Sequence, residues 1–359
     1  MNLRRVSADD CVTVGQALLH AYGADDGEAL VVATSLVDSD LAVVASHVTG
    51  LLPMYLDRIR LGSVRVGAGN PVIASKRGAT VVIDAEHRLG QPVADFAMNE
   101  AIEKANEFGV GVVAVRHAFH FGAATRYVNQ ATAHGCIGIA MCNTRPLMPA
   151  PGGAERLVGN NPIAVAVPAN EEIPVVLDLA LSEAAMGKIR RARELGESIP
   201  PNWATDSLGL VTTDPSAAIE GMLLPIGNHK GFGLAFMIDL LVGGLSEGAW
   251  GDRVRPLYSE LDTPYDCSQL FVAIDVDFFT SLSRFEATVD EATDRIRRSR
   301  PVDSSARVMT PGQPEWERRE DSPDSIMIPS SVIGDLSARA KDQGIAVPPS
   351  LQHSPSNNN

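Results

Sequence analysis

"VGVVAVRHAFHFGAATRYVNQATAHGCIGIAMCNT", residues 110–144, is the stretch on which the fold turns. Its opening, "VGVVAVRH" (110–117), is rich in valine, and β-branched side chains suit a packed, pleated surface, so it reads as a buried strand. "AATRYVNQATAHG" (123–135) reads as a helix closed by glycine, and "CIGIAMCNT" (136–144) returns to strand. Strand, helix and strand at this spacing predict an α/β core. "GVGVVA" (109–114) fits G-x-G-x-x-A formally but joins a helix to a strand. A dinucleotide fingerprint must instead follow a strand and open a helix, because the phosphate rests on the helix N-terminus. A Rossmann domain is therefore rejected, and no Walker A sequence occurs.

Working outward, the N-terminal part reads as helical. "SADDCVTVGQALLHAYG" (7–23) has Ser7 as N-cap and Gly23 as stop, "DGEALVVATSLVDSDLAVV" (26–44) continues at helical spacing, and "LPMYLDRIRLGSV" (52–64) carries Pro53 near its first turn. β-like runs over 71–86 and a helix over 93–109 lead into the opening strand. A Pro/Gly loop (145–162) precedes two further strands, "IAVAVPA" (163–169) and "VVLDLALS" (175–182). A helix over 182–196, a polar Pro-rich segment (197–221) and the apolar "GLAFMIDLLVGGL" (233–245) come next. A last strand (270–279), a charged helix, a loop containing "TPGQPEWERR" (310–319) and a closing helix (329–344) complete the fold. The polar end, 349–359, reads as a disordered tail.

Bulk composition narrows the function. Hydrophobic residues make up 45% and charged residues 21%, an ordinary globular balance. A net charge of −14 without a basic block disfavours nucleic acid and anionic membrane surfaces as partners. The longest apolar run is too short to span a bilayer and contains Asp239. The N-terminus lacks a signal-peptide apolar core, and the four cysteines form neither a C-x-x-C pair nor a zinc spacing. A reduced, cytoplasmic protein is expected.

Two histidines three apart, His117 and His120, raise the question of chemistry. An H-x-x-H at a strand end does not place both rings on one face, and Glu107 lies ten residues away, so no metal site is expected. "GNHKGFG" (227–233) sets glycines and Lys230 at the start of an apolar helix. That pattern suits either an anion on a helix N-terminus or a tight turn whose glycines only permit close packing. Ser46 and His47, at a helix-to-helix connection, read on their own as a cap and a surface histidine.

In order along the chain, "SHVTGLLPMYLDRIRLG", "VRHAFHFGAATRYVNQATAHGCIGIAMCNTRPLMPAPGGAERLVGNNPIAVAVPA", "VVLDLALSEAAMGKIRRARELG", "LLPIGNHKGFGLAFMIDLLVGG" and "LFVAIDVDFF" form one set. Together, over residues 3–348, they resemble the non-Rossmann malate/L-lactate dehydrogenase family. That family also holds ureidoglycolate, sulfolactate and 2,3-diketogulonate enzymes and the piperideine- and pyrroline-2-carboxylate reductases. The resemblance implies a non-Rossmann nicotinamide-binding α/β region over 71–319, with an inserted lobe near 180–225. It also implies a helical domain built from both chain ends, 1–70 plus 320–348, and a homodimer. It further implies NAD or NADP as cofactor and a small 2-hydroxy or 2-keto acid as substrate.

Residue by residue, the resemblance makes Ser46, His47 and His120 the catalytic group, with Phe121, Gly122 and Thr144 on the substrate side. Asp178, Leu179 and Ala180, then His229, Lys230 and Gly231, then Pro311, Gly312 and Gln313, would hold the cofactor. His117 matches no family motif and is expected to be structural. Three positions depart from the pattern: Val48 stands for glycine, Leu51 for an arginine able to clamp a carboxylate, and Gln313 for glutamate. They keep two alternatives open, a reductase of a cyclic imino acid and a non-catalytic ligand-binding homologue.

Overall fold

A computed structural model describes residues 2–44 and 47–352. Strand β1 (Leu3–Ser7) passes directly into α1 (Ala8–Ala21), where Ser7 caps the helix by accepting from the Asp10 amide. Helix α2 (Asp26–Leu41) opens with a reciprocal capping box between Asp25 and Glu28, and α3 (Leu52–Leu61) has Pro53 in its first turn. Then follow β2 (Val72–Arg77), β3 (Thr80–Asp84), α4 (Gly90–Phe108), β4 (Val110–Ala118), α5 (Thr125–Thr132), β5 (Cys136–Cys142), β6 (Ile163–Val167) and β7 (Val175–Leu179). A lobe of α6 (Met186–Leu195), β8 (Ala204–Thr205), α7 (Pro215–Glu220) and β9 (Met222–Leu223) intervenes before α8 (His229–Ser246) and β10 (Cys267–Asp275). The chain ends through α9 (Leu282–Arg297), α10 (Gln313–Asp321), β11 (Ser325–Pro329) and α11 (Ser330–Asp342).

Seven strands form the central sheet in the order β2-β3-β4-β10-β5-β6-β7. Only β3 and β4 pair in parallel; the other neighbours are antiparallel. Strands β4 and β5, joined by α5, run the same way but are separated by β10, which pairs with both. Side chains alternate across this centre. Val113, Val115, Phe271 and Ala140 pack into one core with α4 and α5, whereas Ala114, Leu270 and Met141 join a second core with Ile238 and Val242 of α8. The helical layer of α1, α2 and α11 shares the first core: Leu18, Leu36 and Leu336 belong to the same buried cluster as Val113.

Several expectations need correction. The first residues form a strand, since β1 pairs with β11 from Leu3↔Pro329 to Ser7↔Ser325. "QPEWERRED", expected as loop, is α10, and this helix runs across the expected domain boundary at 319/320. Residues 349–351, expected in a disordered tail, are structured. Pro349–Leu351 form a 3-10 turn, Leu351 is 1% exposed, and its carbonyl accepts from Ser337 Oγ at 2.8 Å. Gly231 and Gly233 lie inside α8 rather than ahead of it. No helix among the described residues is long and apolar enough to cross a membrane.

Candidate active site

The turn from β4 to α5 carries the site. Its path is fixed by inward-pointing bonds: the Phe119 carbonyl accepts from Gln269 Nε2 at 3.0 Å, and the Phe121 carbonyl accepts from the buried Tyr127 hydroxyl. Gly122 takes φ +77, and an added Cβ would meet Ser35 Oγ at 3.3 Å. Its type is thus dictated by both the turn and the packing against α2. Between these anchors sits His120, half-buried.

Tyr55, from α3 and 0% exposed, places its hydroxyl 2.6 Å from His120 Nδ1, while Gln91 Nε2 of α4 donates to that hydroxyl at 3.2 Å. With Gln91 filling one acceptor site, the hydroxyl proton has two destinations, Nδ1 or the His120 carbonyl 3.4 Å away. In the first state neutral His120 carries its proton on Nε2; in the second Nδ1–H donates to Tyr55 and Nε2 offers a lone pair. Tyr55 therefore supports both the donor and the acceptor form of the outer nitrogen. Burial holds the Tyr55 hydroxyl above the ordinary phenol range, so it stays neutral.

His47 stacks on His120, with ring centroids 5.2 Å apart and planes 8° from parallel. Burial, and then the charge of His47, keeps His120 well below the usual imidazole range. His47 is also lowered by burial, but the Asp178 carboxylate pulls it back upward. A proton entering the pair is thus better held on His47, nearer the carboxylate. Asp178 itself is fixed by Thr125, whose amide and Oγ1 donate to Oδ2 at 2.9 and 2.7 Å.

The three segments assigned to the cofactor converge along the edge strand β7. Pro311 O accepts from Val176 N at 3.2 Å near its start, Asp178–Ala180 close its end, and Leu181 O accepts from Ile226 N at 3.0 Å just ahead of α8. From Val176 to Leu181 is about 16 Å of extended chain. At the α8 start, Gly231 is a position only glycine can fill, since a Cβ would lie 2.3 Å from Ile226 O. His229 and Lys230 are exposed there, and the Lys230 ammonium has no hydrogen-bond or ion-pair partner among the described residues. A cationic, open helix start beside a strand end fits the anionic part of a nicotinamide cofactor.

Other assignments move. The Phe121 ring is 3% exposed, stacked on Tyr127 and edge-on to Phe271, so it belongs to the core and not to the substrate side. Gly122 is buried and offers no side chain. Thr144 directs Oγ1 to Asn160 Oδ1 at 2.9 Å. Gln313 is 8% exposed and spent internally, accepting from Arg297 Nε and donating to Glu317 Oε1. Ser46 lies outside the described residues. His117, contrary to the expectation that no carboxylate is near, has Nδ1 2.9 Å from Asp84 Oδ1, because β3 pairs Asp84 with Arg116. Among the described residues no group of three or more His, Cys, Asp or Glu is arranged to hold a metal ion. Sequence reasoning missed Tyr55 and Gln91. Their only signal was a polar atom at a core position, in "LPMYLDRIR" and at the start of α4.

A mixed sheet with β10 inserted between β4 and β5, a stacked histidine pair beyond the end of β4 and a cationic helix start without the Rossmann fingerprint together describe a non-Rossmann α/β fold with a site suited to acid–base chemistry. The malate/L-lactate dehydrogenase family model matches residues 6–337, and the chain belongs to that family. It is similar to the malate/(S)-sulfolactate dehydrogenase of Methanothermus fervidus, 37% identical over 78% of this chain and 82% of the relative. It is 33% identical to the NADP-dependent (2R)-3-sulfolactate dehydrogenase of Chromohalobacter salexigens, over 94% and 98% of the two chains. Identity to the NAD-dependent ureidoglycolate dehydrogenase of Escherichia coli is 34%, over 79% and 81%. The solved sulfolactate dehydrogenase of Methanocaldococcus jannaschii superposes with TM-score 0.90 at 34% identity, covering 96% of this chain and 98% of that one. The Δ1-piperideine-2-carboxylate reductase of Pseudomonas syringae gives 0.81 at 28% identity, over 94% and 100%. The protein is an NAD(P)-dependent dehydrogenase.

Proposed function

We propose that the protein moves a hydride reversibly between NAD or NADP and a small 2-hydroxy acid, giving the 2-keto acid. The observation that carries this reading is the Tyr55–His120–His47 arrangement: one imidazole is held at Nδ1 and stacked on a second that faces a carboxylate. The nicotinamide, when bound, supplies or receives the hydride. Asp178–Ala180, His229–Gly231 and the Pro311 loop would hold it, leaving the proton to this chain's own residues. In oxidation, Nε2 of His120 takes the hydroxyl proton while Nδ1–H donates to Tyr55. That leaves His120 a cation, whose charge is relieved toward His47 and Asp178; in reduction the same cation returns its Nε2 proton to the developing alkoxide and ends neutral.

The same geometry would protonate the nitrogen of a cyclic imino acid. The likeness to the piperideine-2-carboxylate reductase supports that second reading. A panel of 2-keto acids and cyclic imino acids, each run with NADH and NADPH, tests both. Turnover on keto acids that falls about 10²–10⁴-fold in His120→Ala is expected. Cofactor fluorescence that changes on binding while nothing in the panel is reduced would leave only a ligand-binding homologue.

A homodimer goes with this reading. Helix α8 exposes Leu234, Met237, Leu241 and Leu245, a stripe at spacings of three and four, and Phe236 beside it is 43% exposed. An apolar stripe on a well-packed helix suits a second copy. Met237→Glu with Leu241→Glu should convert a dimeric species to a monomer in sedimentation. The four buried free cysteines support a reducing, cytoplasmic setting.

A further inference from the structure

Both groups that meet His120 belong to one short run of chain, residues 47–55. His47 stacks on its ring, and the Tyr55 hydroxyl reaches its Nδ1. Between them lies the 3-10 turn Thr49–Leu51, which passes directly into α3. The far end of this turn is anchored by Leu51, packed in the core. At its near end Val48 supplies no side-chain cap, and the first amide, Thr49 N, donates instead to Asp40 Oδ2 of α2 at 2.7 Å. Thr49 is 2% exposed, so this donor lies in the interior, where an amide without an acceptor is costly.

A carboxylate is an unexpected choice at position 40. It stands in the last turn of α2, at the negative end of the helix dipole, in a turn with no basic residue. Asp38 pairs with Arg319 at 3.1 Å, whereas Asp40 is half-buried and has no ion-pair partner among the described residues. The helix gains nothing from this charge; the Thr49 amide gains a charge-assisted acceptor. The chain leaving α2 is also held at a cost. Val43 takes φ +57 while 61% exposed, so a β-branched residue occupies the left-handed region with little burial in return. Val43 N donates to Asp40 O at 3.0 Å, and His47 N donates to Val44 O at 3.1 Å. The Asp40 side chain adds a further tie two residues beyond His47.

We propose that Asp40 is a positioning residue for the proton transfer: by holding the Thr49 amide it sets the His47 ring over His120 in one fixed geometry. This rests on the 2-hydroxy acid reading above, in which charge arising on His120 is relieved toward His47. Asp40 acts through the chain and not on the substrate, so its effect on the chemistry exists only while the His47 ring is there to be placed.

The test is a double-mutant cycle of Asp40→Ala with His47→Ala, run on the 2-keto acid that the wild type reduces fastest, with Asp40→Asn as the conservative variant. Asp40→Ala should lower kcat about ten- to a hundredfold, the scale of a misplacement of about 1 Å, and leave KM for the reduced cofactor within about threefold. In the His47→Ala background the same change should cost less than about twofold, because the ring it places is gone. Asp40→Asn keeps an oxygen for the amide and should fall between the wild type and Asp40→Ala. Equal losses of kcat in both backgrounds, or Asp40→Asn as slow as Asp40→Ala, overturns the assignment. The His47 ring also reports without turnover. Its C–H signal in the magnetic resonance spectrum of histidine-labelled protein, identified by its loss from His47→Ala, should shift in Asp40→Ala as the stack opens; an unmoved signal overturns the assignment. If the wild type reduces no 2-keto acid, the 2-hydroxy acid reading has failed, and this signal still decides whether Asp40 holds the stack. Should Asp40→Ala fold poorly, Asp40→Glu, which keeps the charge and pushes the oxygens outward, carries the same cycle and the same signal.

Discussion

The Tyr55 hydroxyl reaches Nδ1 of His120 at 2.6 Å, across the seam between the helical layer and the sheet. Tyr55→Phe keeps the ring's packing, removes this contact and strands Gln91 Nε2 in the interior. Stability should fall by about 1–3 kcal/mol, the range for an unsatisfied buried donor. Turnover should fall by more than that loss of folding explains, because Nδ1 of His120 loses the partner that serves both of its tautomers. Thermal melts and kcat measured on the same preparation separate the two, and an unchanged kcat would detach Tyr55 from the chemistry.

His117 and His120 should part company under mutation. His120→Ala is expected to lose about 10²–10⁴ in turnover with cofactor binding intact. His117→Asn is expected to keep near wild-type turnover, since asparagine tolerates the φ of 49° at this position and the ring faces Asp84, not Tyr55. A crippled His117→Asn beside an active His120→Ala would place the proton transfer at the wrong ring.

Acid should affect folding through His120 in a defined direction. Its folded-state pKa is lowered, so the folded protein resists protonation. Its share of stability is full above the unfolded value of 6.5 and is lost as pH falls below that toward the depressed folded value. Asp40, pushed up to about 6 by burial, works the other way, gaining stability as pH falls through that value. The difference between wild type and His120→Asn cancels Asp40. In urea melts that difference should shrink from pH 7 to pH 5. By the same logic, oxidation of the hydroxy acid should keep its active base below pH 6.5, and an acidic limb centred above it would contradict the buried, neutral ring.

Lys230 is exposed, so Lys230→Ala should leave the fold alone. Losing a charge-assisted contact to a cofactor anion should raise the dissociation constant by about tenfold or more. A fluorescence titration with NADH and NADPH reads this directly, and an unchanged curve removes Lys230 from the cradle.

Much of the sheet was legible because its strands are valine- and isoleucine-rich and bounded by glycine; β4, α5 and β5 fall close to their expected spans. The order of the strands was not legible. Placing β10 between β4 and β5 depends on pairing residues about 130 to 160 positions apart, which no local pattern encodes. Helix α10 was missed because "QPEWERRED" lacks an apolar face, and of its residues only Gln313 is buried. At the candidate site, motifs pointed to His120, His47 and Asp178, which the structure brings together. Phe121 was misplaced because a motif does not say which way a side chain turns. Tyr55 looked like one more apolar residue of α3, since its function resides in a single oxygen.

The pairing of β1 with β11 has a consequence for the order of events in the cell. Ser7 is made more than 300 residues before its partner Ser325, an interval of roughly 16–60 s at ordinary elongation rates. During that time the newborn helices α1 to α3 lack β11 and α11, and their apolar faces remain open to chaperones and to one another. The seam between the two chain ends is therefore the last to close, and substitutions such as Val6→Asp or Ile328→Asp should reduce the yield of soluble protein from cells far more than they slow any enzyme that has managed to fold.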